Sequence, residues 1–539
     1  MRRIVHGLSA AALLATAVVV PTALAAVGGN SAPGTPLTGA MRAAGFRVSP
    51  GLPLVYSNHP ARTCRNLTYP ALKTCAGANP AAPYIIAAVK AWPNEYVEKA
   101  TVNAFGKLPR GYEPTYRLHP REALVIHGKM PPPGRYTGIQ TWQWSQPGHW
   151  TAKDVKHVAQ LPQQPFPLHQ LFATMPPADP TARRVYSFSA LGDPLNNVVM
   201  QRRSGDPFGK QRYFIVTASR TTDRAVRQVL HARGIPDGHI FTEQIPGRDS
   251  NGRIGPLGMG RDAIDFNTWF RYAVPDPASA TAAQQWRSDP PLEVLRVVAP
   301  ASTGPVHRYG ALHFDTLKAH SEKHLAGSMK RLVRAVCHRV TTTAHLRGSD
   351  CGRPTPASAR MVDVLRDYGW DGPYCRSIHM DCDGDNPDTA FFYGQMLPLD
   401  RGQVYAVVDT LATETGNATY VGLSAHAAAV FYAPVNILDA DLKGSARGYA
   451  RTVRHTGKFF VHYFTRDCSV LAGLPGISKS CTRLTDAMIP PRGAPNAFGD
   501  PRLRGKLQLG IRDYVVPGTA RGPDASKILT PVVLGFVKR

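Results

Sequence analysis

Gly209-Lys210-Gln211-Arg212-Tyr213-Phe214-Ile215-Val216 is echoed further on by Gly457-Lys458-Phe459-Phe460-Val461. Each stretch leaves a Gly-Lys turn and runs into β-branched and aromatic residues, the composition of a strand. Working outward, residues 118–139 are echoed by residues 399–423. Each has a polar turn, an apolar run, a Pro- or Gly-bearing turn, then Tyr-x-Gly-Ile/Leu. Pro194-Leu195-Asn196 is matched by Pro434-Val435-Asn436, and Arg271-Tyr272-Ala273-Val274-Pro275 by Asp513-Tyr514-Val515-Val516-Pro517. The order is kept. The expected fold is therefore mainly β (α+β overall): two tandem, internally duplicated β-sandwich or jelly-roll-like domains joined by a helical, disulfide-bearing connector.

The expected boundaries follow: a signal peptide at 1–25, a linker and disulfide-bearing lead at 26–111, copy one at 112–298, the connector at 299–384 and copy two at 385–539. A short helix is expected at 82–92. Another follows the 212–218 strand, capped by Thr222 or Asp223 and ended by Gly234. The best helical pattern is 315–340, with Leu325, Met329, Leu332 and Val336 on one face.

The N-terminus has a charged start (Arg2, Arg3), an apolar run and a small-x-small site at Ala23-Leu24-Ala25. That pattern predicts cleavage after Ala25 and a secreted protein without a membrane span. The 8 cysteines fall as sequence neighbours, Cys64 with Cys75, Cys337 with Cys351, Cys375 with Cys382 and Cys468 with Cys481. Short-loop disulfides are the simplest pairing in an oxidising compartment, and no zinc-finger spacing occurs. The formal charge of +26 favours anionic neighbours such as a cell-wall polymer or acidic polysaccharide. Nucleic acid is not expected, because no more than two Lys/Arg stand together and no basic helix is found.

Asn386-Pro387-Asp388-Thr389, then Leu399-Asp400-Arg401-Gly402-Gln403-Val404, then Ala418-Thr419-Tyr420-Val421-Gly422-Leu423 resembles the opening of a bacterial exported "domain of unknown function" family. The resemblance implies β-rich, jelly-roll-like domains in tandem and carries no catalytic residue across.

Three groups are candidates for chemistry. One is the Arg/Asp pairs repeated after the matched strands, Arg220, Asp223 and Arg224 in copy one and Arg466 and Asp467 in copy two, which mark either a polar site or an ion pair or helix cap that fixes the fold. Asp381-Cys382-Asp383-Gly384-Asp385-Asn386-Pro387-Asp388 sets carboxylates at alternate positions around a glycine, as loops that wrap Ca²⁺ do. The twelfth position is Phe392 rather than glutamate, and a tight Asx-turn loop stapled by Cys375–Cys382 is the other reading. Tyr136, Trp142 and Trp144 share one face of an unbroken strand, with Trp150 close by; they either stack on sugar rings or fill the core. His320 and His324 share a helix face in the expected 315–340 helix. Leu191-Gly192-Asp193-Pro194-Leu195 resembles an esterase signature with proline in place of the nucleophile, and Gly422-Leu423-Ser424-Ala425-His426 lacks the final glycine of a nucleophile elbow. Three functions stay open. The first is an exported binding protein for carbohydrate or anionic polymer. The second is a metal-assisted extracellular hydrolase using the acidic loop and a histidine such as His379, and the third is a structural role without catalysis.

Overall fold

The computed structural model describes residues 36–56, 63–72, 75, 81–149, 184–249, 252–311, 314–348, 361–363, 372–377, 382, 384–494 and 499–538. The expected signal peptide, Trp150, Cys351, His379, Asp381 and Asp383 lie outside them. The chain is sheet-rich and mainly β, with helices laid on the outer faces of sheets.

The strands of the first half are β1 (Arg47–Tyr56), β2 (Tyr84–Lys90), β3 (Tyr112–Glu113), β4 (Glu122–Lys129), β5 (Gly134–Pro147), β6 (Arg184–Ala190), β7 (Leu195–Asn196), β8 (Gln211–Thr217), β9 (Ile240–Gln244), β10 (Arg248–Asp249), β11 (Gly252–Arg253), β12 (Asp265–Pro275) and β13 (Leu292–Val298). Those of the second are β14 (Arg347–Gly348), β15 (Val362–Asp363), β16 (Thr389–Pro398), β17 (Gln403–Thr410), β18 (Tyr420–Ala427), β19 (Tyr432–Leu438), β20 (Phe459–Thr465), β21 (Cys481–Arg483), β22 (Lys506–Tyr514) and β23 (Val532–Val537). In the first half one layer runs β1-β13-β4-β8-β9 and the other β1-β2-β12-β5-β6. In the second the layers run β14-β23-β17-β20-β21 and β15-β16-β22-β18-β19. The β8/β9 and β20/β21 edge pairs are parallel; the other ladders named here are antiparallel.

Strand β1 serves both layers of the first half. Arg47–Pro50 pairs with β13, and residues 51–56 pair with β2. The corner falls at Gly51, where a Cβ would sit 2.7 Å from both the Ala88 carbonyl oxygen and Val294 Cγ1. Side-chain alternation then sorts the residues. Leu124, Ile126, Phe214 and Val216 face Ile85, Ala87, Ile139 and Phe270 between the layers. Ala123, Val125 and Ile215 face outward, under Val226, Val229 and Leu230 of the helix Arg220–Ala232 and Leu37 and Met41 of the helix Pro36–Ala43. In the second half, Tyr405, Val407, Phe460 and Phe464 meet Phe392, Leu423, Leu509 and Ile511. There Val404, Ala406 and Val408 lie under the helix Ala326–Thr343. Each fully buried aliphatic side chain stabilises these layers by about 1.5–3 kcal/mol.

Several boundaries move. The expected 26–111 lead contains β1, β2 and β3, which are integral to the first half's sheets. Its prolines and Gly51 read as linker but occupy a corner where the ladder changes partners. The expected short helix at 82–92 is strand β2: its Ile85, Ile86 and Val89 are buried in a run covered on both faces, which removes the two-residue alternation that marks a strand. The connector helix begins at Ala326, so His320 and His324 precede it and share no helix face. Ser219, rather than Thr222 or Asp223, caps the helix Arg220–Ala232, its hydroxyl accepting the Thr222 N–H at 3.1 Å. Cys64–Cys75, Cys375–Cys382 and Cys468–Cys481 are disulfide-bonded. No helix among the described residues is long and apolar enough to cross a membrane.

Candidate functional site

The aromatic stripe and the acidic loop, far apart in sequence, meet at the joint between the two halves. Tyr136, Trp142 and Trp144 do share one face of β5, but that face is covered: their exposures are 0%, 2% and 2%. The Tyr136 hydroxyl donates to Asp388 Oδ2 at 2.5 Å, and Trp142 Nε1 donates to the Asp385 carbonyl at 2.9 Å. Trp144 packs edge-on against Phe188, 4.8 Å between ring centres. Burial leaves these three rings no free face for a sugar.

The described carboxylates of the loop are engaged as well. Asp385 Oδ1 accepts the Ala190 N–H at 2.7 Å. Asp388 is fully buried, accepts from Tyr136 and lies 3.4 Å from Arg271 Nη2. Arg271 also donates to Asn386 Oδ1 at 2.7 Å and Gln140 Oε1 at 3.1 Å. Asp385 and Asp388 are thus committed to protein partners, while Asp381 and Asp383, the other two carboxylates of the expected calcium loop, lie outside the described residues. No cluster of three or more His, Cys, Asp or Glu with metal-binding geometry occurs among the described residues. The repeated Arg/Asp pairs are structural too. Asp223 ties Arg227 (3.2 Å) and Thr242 (2.6 Å), while Arg466 pairs with Asp486 and Asp467 caps the turn that follows β20.

A different place gathers carboxyl and hydroxyl groups around an open cleft. Strand β5 has two short partners on one side: Trp142 faces Ala190 of β6, and Ile139 faces Leu195 of β7. Between these pairings, Leu191-Gly192-Asp193-Pro194 leaves the ladder, so Thr141 has no strand neighbour on that side. Its N–H is instead taken by Glu243 Oε1, reaching across from β9 at the edge of the opposite layer. The Thr141 hydroxyl donates to Glu243 Oε2 at 2.8 Å. Behind it, Thr141 Oγ1 meets Thr268 Oγ1 at 2.7 Å, which meets the Tyr116 hydroxyl at 2.5 Å. A chain of three hydroxyls therefore runs from the first half's core to the Glu243 carboxyl.

The gap is a cleft of about 190 Å³ lined by Thr141, Leu191, Asp193, Leu195, Glu243 and Gln244, with Thr242, Gly192 and Ile245 completing it. Burial pushes the Glu243 carboxyl up to about 7, against the pull of its two hydrogen bonds from Thr141. Burial also raises Asp193 to about 6, against Arg521, whose Nε lies 3.3 Å away. Asp193 Oδ2 accepts the Asp315 N–H at 2.7 Å. Two carboxyl groups whose proton affinity burial raises toward neutral pH, lining one cleft with Thr141, Thr242 and Gln244, can exchange hydrogen bonds with hydroxyls or pass a proton. The sequence marked Asp193 only through its Gly-Asp-Pro turn. Glu243 carried one faint signal, a carboxylate in a short strand.

No protein-family model matches this chain, and no curated protein matches it. Among solved structures, it is similar to the VPA0106 protein of Vibrio parahaemolyticus at 8% identity and a TM-score of 0.34, over 86% of this chain and 90% of that one. An uncharacterised protein of Burkholderia cenocepacia gives 10% identity and a TM-score of 0.32, over 94% of this chain and 91% of that one. At these TM-scores the likeness carries no weight for fold or activity.

Proposed function

We propose that the Glu243–Asp193 cleft takes one unit of a carbohydrate, and that the protein is an exported binding protein of the extracellular space or cell envelope. The observation that carries this reading is Glu243 in the gap between β6 and β7 beside β5, its two oxygens held by Thr141 and its carboxyl pushed up by burial to about 7. The cleft brings Thr141, Asp193, Thr242, Glu243 and Gln244 together with the half-buried Leu195, a lining that suits a ring with hydroxyl edges. The disulfides and the absence of a membrane-spanning helix among the described residues are compatible with an extracellular protein.

Titration calorimetry against an oligosaccharide panel tests it. Glu243→Gln and Asp193→Asn are expected to weaken the best binder by tenfold or more while leaving the melting temperature within a few degrees. Unchanged affinity in both variants would sink the reading. A second reading, a hydrolase working by general acid–base catalysis, is favoured by the position of the Glu243 carboxyl at about 7, close to the pH at which a proton is both held and given up. Release of reducing ends that Glu243→Gln abolishes separates hydrolysis from binding alone.

We also infer that the two halves are copies of one unit, related to the exported tandem β-rich family that residues 386–423 resemble. Three paired details support it beyond the strand orders. Thr217 Oγ1 donates to the Glu122 carbonyl at 2.7 Å, and Thr465 Oγ1 to the Gln403 carbonyl at 2.8 Å. Asn197 Oδ1 accepts the Thr137 N–H, and Asp439 Oδ1 the Val421 N–H. Val274 and Val515 both take positive φ, 50° and 42°. On this pairing Arg271 corresponds to Arg512, one residue away from the match with Asp513 read in the sequence. Glu243 corresponds to Thr482, so the cleft belongs to the first half alone.

A further inference from the structure

We propose that a second, basic pocket beside the cleft is an anion subsite, and that the ligand is an acidic carbohydrate whose charged group it holds. This deepens the reading of the Glu243 cleft and rests on it. The pocket has a volume of about 250 Å³ and is lined by Arg202, Asp315, Thr316, Lys318, Thr519 and Arg521, with Ala520. Arg202 comes from the first half, Lys318 from the segment between the halves, and Arg521 from a turn of the second. The turn is fixed against the first half, because Asn196 Nδ2 donates to the Ala520 carbonyl at 2.8 Å.

The two concavities share a wall. Asp193 lines the cleft, Arg521 lines the pocket, and they form an ion pair at 3.3 Å. Arg521 is held in place by donating from Nη1 to the Asp315 carbonyl at 2.8 Å and from Nε to the Pro387 carbonyl at 3.3 Å. Its guanidinium also lies over the Phe314 ring, 5.0 Å from the centre, and these contacts leave Nη2 without a hydrogen bond to a described residue. Lys318 engages others through its backbone, accepting the Asp524 N–H, while its ammonium forms no ion pair with a described residue. Arg202 spends one nitrogen on the Gly518 carbonyl. Against these three cations the pocket sets Asp315; Asp193 already faces Arg521, and Asp524, beside Lys318, pairs with Lys527 at 3.5 Å. Three cations lining one pocket, two of them without an ion pair among the described residues, recognise a carboxylate or sulfate. The net charge of +26 draws such a polymer in from a distance. A unit seated in the cleft thus has its acidic neighbour over Arg521.

The test is calorimetry on the full chain with trigalacturonate, its methyl ester, a sulfated dextran oligomer and the uncharged dextran oligomer. At least one acidic probe is expected to bind tenfold or more tightly than its uncharged counterpart, and Arg202→Ala with Lys318→Ala is expected to erase that difference while leaving uncharged binding unchanged. Arg521 is left intact because its bonds hold the fold. If neither acid binds more tightly than its uncharged partner, or if the double variant keeps the preference, the subsite is overturned. Failure of the cleft reading looks different: Glu243→Gln then leaves affinity for charged and uncharged probes alike unaltered.

Discussion

Replacing Asp388 by alanine strands a charge at the joint between the halves. Arg271 is buried, with a side-chain exposure of 1%, and Asp388 is the only carboxylate that pairs with it among the described residues. Removing one partner of a buried pair costs about 3–5 kcal/mol, because the remaining charge keeps its desolvation penalty without compensation. The Tyr136 hydroxyl loses its 2.5 Å acceptor in the same substitution. Arg271 retains Asn386 and Gln140 as hydrogen-bond acceptors, which places the expected loss at the lower end, about 3 kcal/mol. Gly34–Arg539 forms one compact unit, and for a unit of about 500 residues, at roughly 1 °C per kcal/mol, that lowers the melting temperature by about 3 °C. Scanning calorimetry and urea titration on Asp388→Ala measure it. Lys443→Ala is the control: it removes an ion pair with Glu414 whose lysine is 55% exposed, and should cost less than about 1 kcal/mol. Arg271→Met combined with Asp388→Leu should recover most of the loss, since no buried charge remains. A loss under about 1 kcal/mol in Asp388→Ala, or a double variant as unstable as the single one, would refute the reasoning.

Two further outcomes follow from the same contacts. Because the folded-state pKa of Glu243 lies above its ordinary value of 4.5, the folded protein holds that proton more tightly than the unfolded chain. Its contribution to stability is therefore present below about 4.5 and declines as pH rises through about 7. Glu243→Gln, measured by urea denaturation, should gain on the wild type between pH 5 and pH 8; a pH-independent difference between the two would contradict the assignment. Thr217→Val and Thr465→Val each remove two hydrogen bonds, one donated by the buried hydroxyl to the neighbouring strand's carbonyl and one it accepts from the backbone N–H two residues on, and each should cost about 2 kcal/mol. Widely different losses would argue against equivalent positions in the two halves.

Much of the strand pattern was legible because it is local. The stretch after Gly209-Lys210 and its echo after Gly457-Lys458 both form buried strands, β8 and β20, and the helix after β8 ends near Gly234 as its pattern predicts. Strand β2 was not legible, since a strand buried on both faces has no alternation and its alanines favour a helix. The site residues failed for a related reason. The even spacing of Tyr136, Trp142 and Trp144 put them on one face, but spacing carries no information on what covers that face. Likewise the spacing of Asp385 and Asp388 does not reveal that Ala190 and Arg271 stand opposite them.

The sequence by itself determined a β-rich chain, a recurring strand pattern and short-loop cysteine neighbours, three pairs of which are joined in the fold, because each depends on residues a few positions apart. Only the tertiary structure decided that Glu243 crosses 102 positions to hold Thr141, and that Arg271 crosses 117 to meet Asp388. Such partners are set by how sheets stack and where a ladder is interrupted. A gap between β6 and β7 opens a cleft beside β5 because residues 191–194 leave the sheet there, and nothing within the β5 sequence itself records that departure.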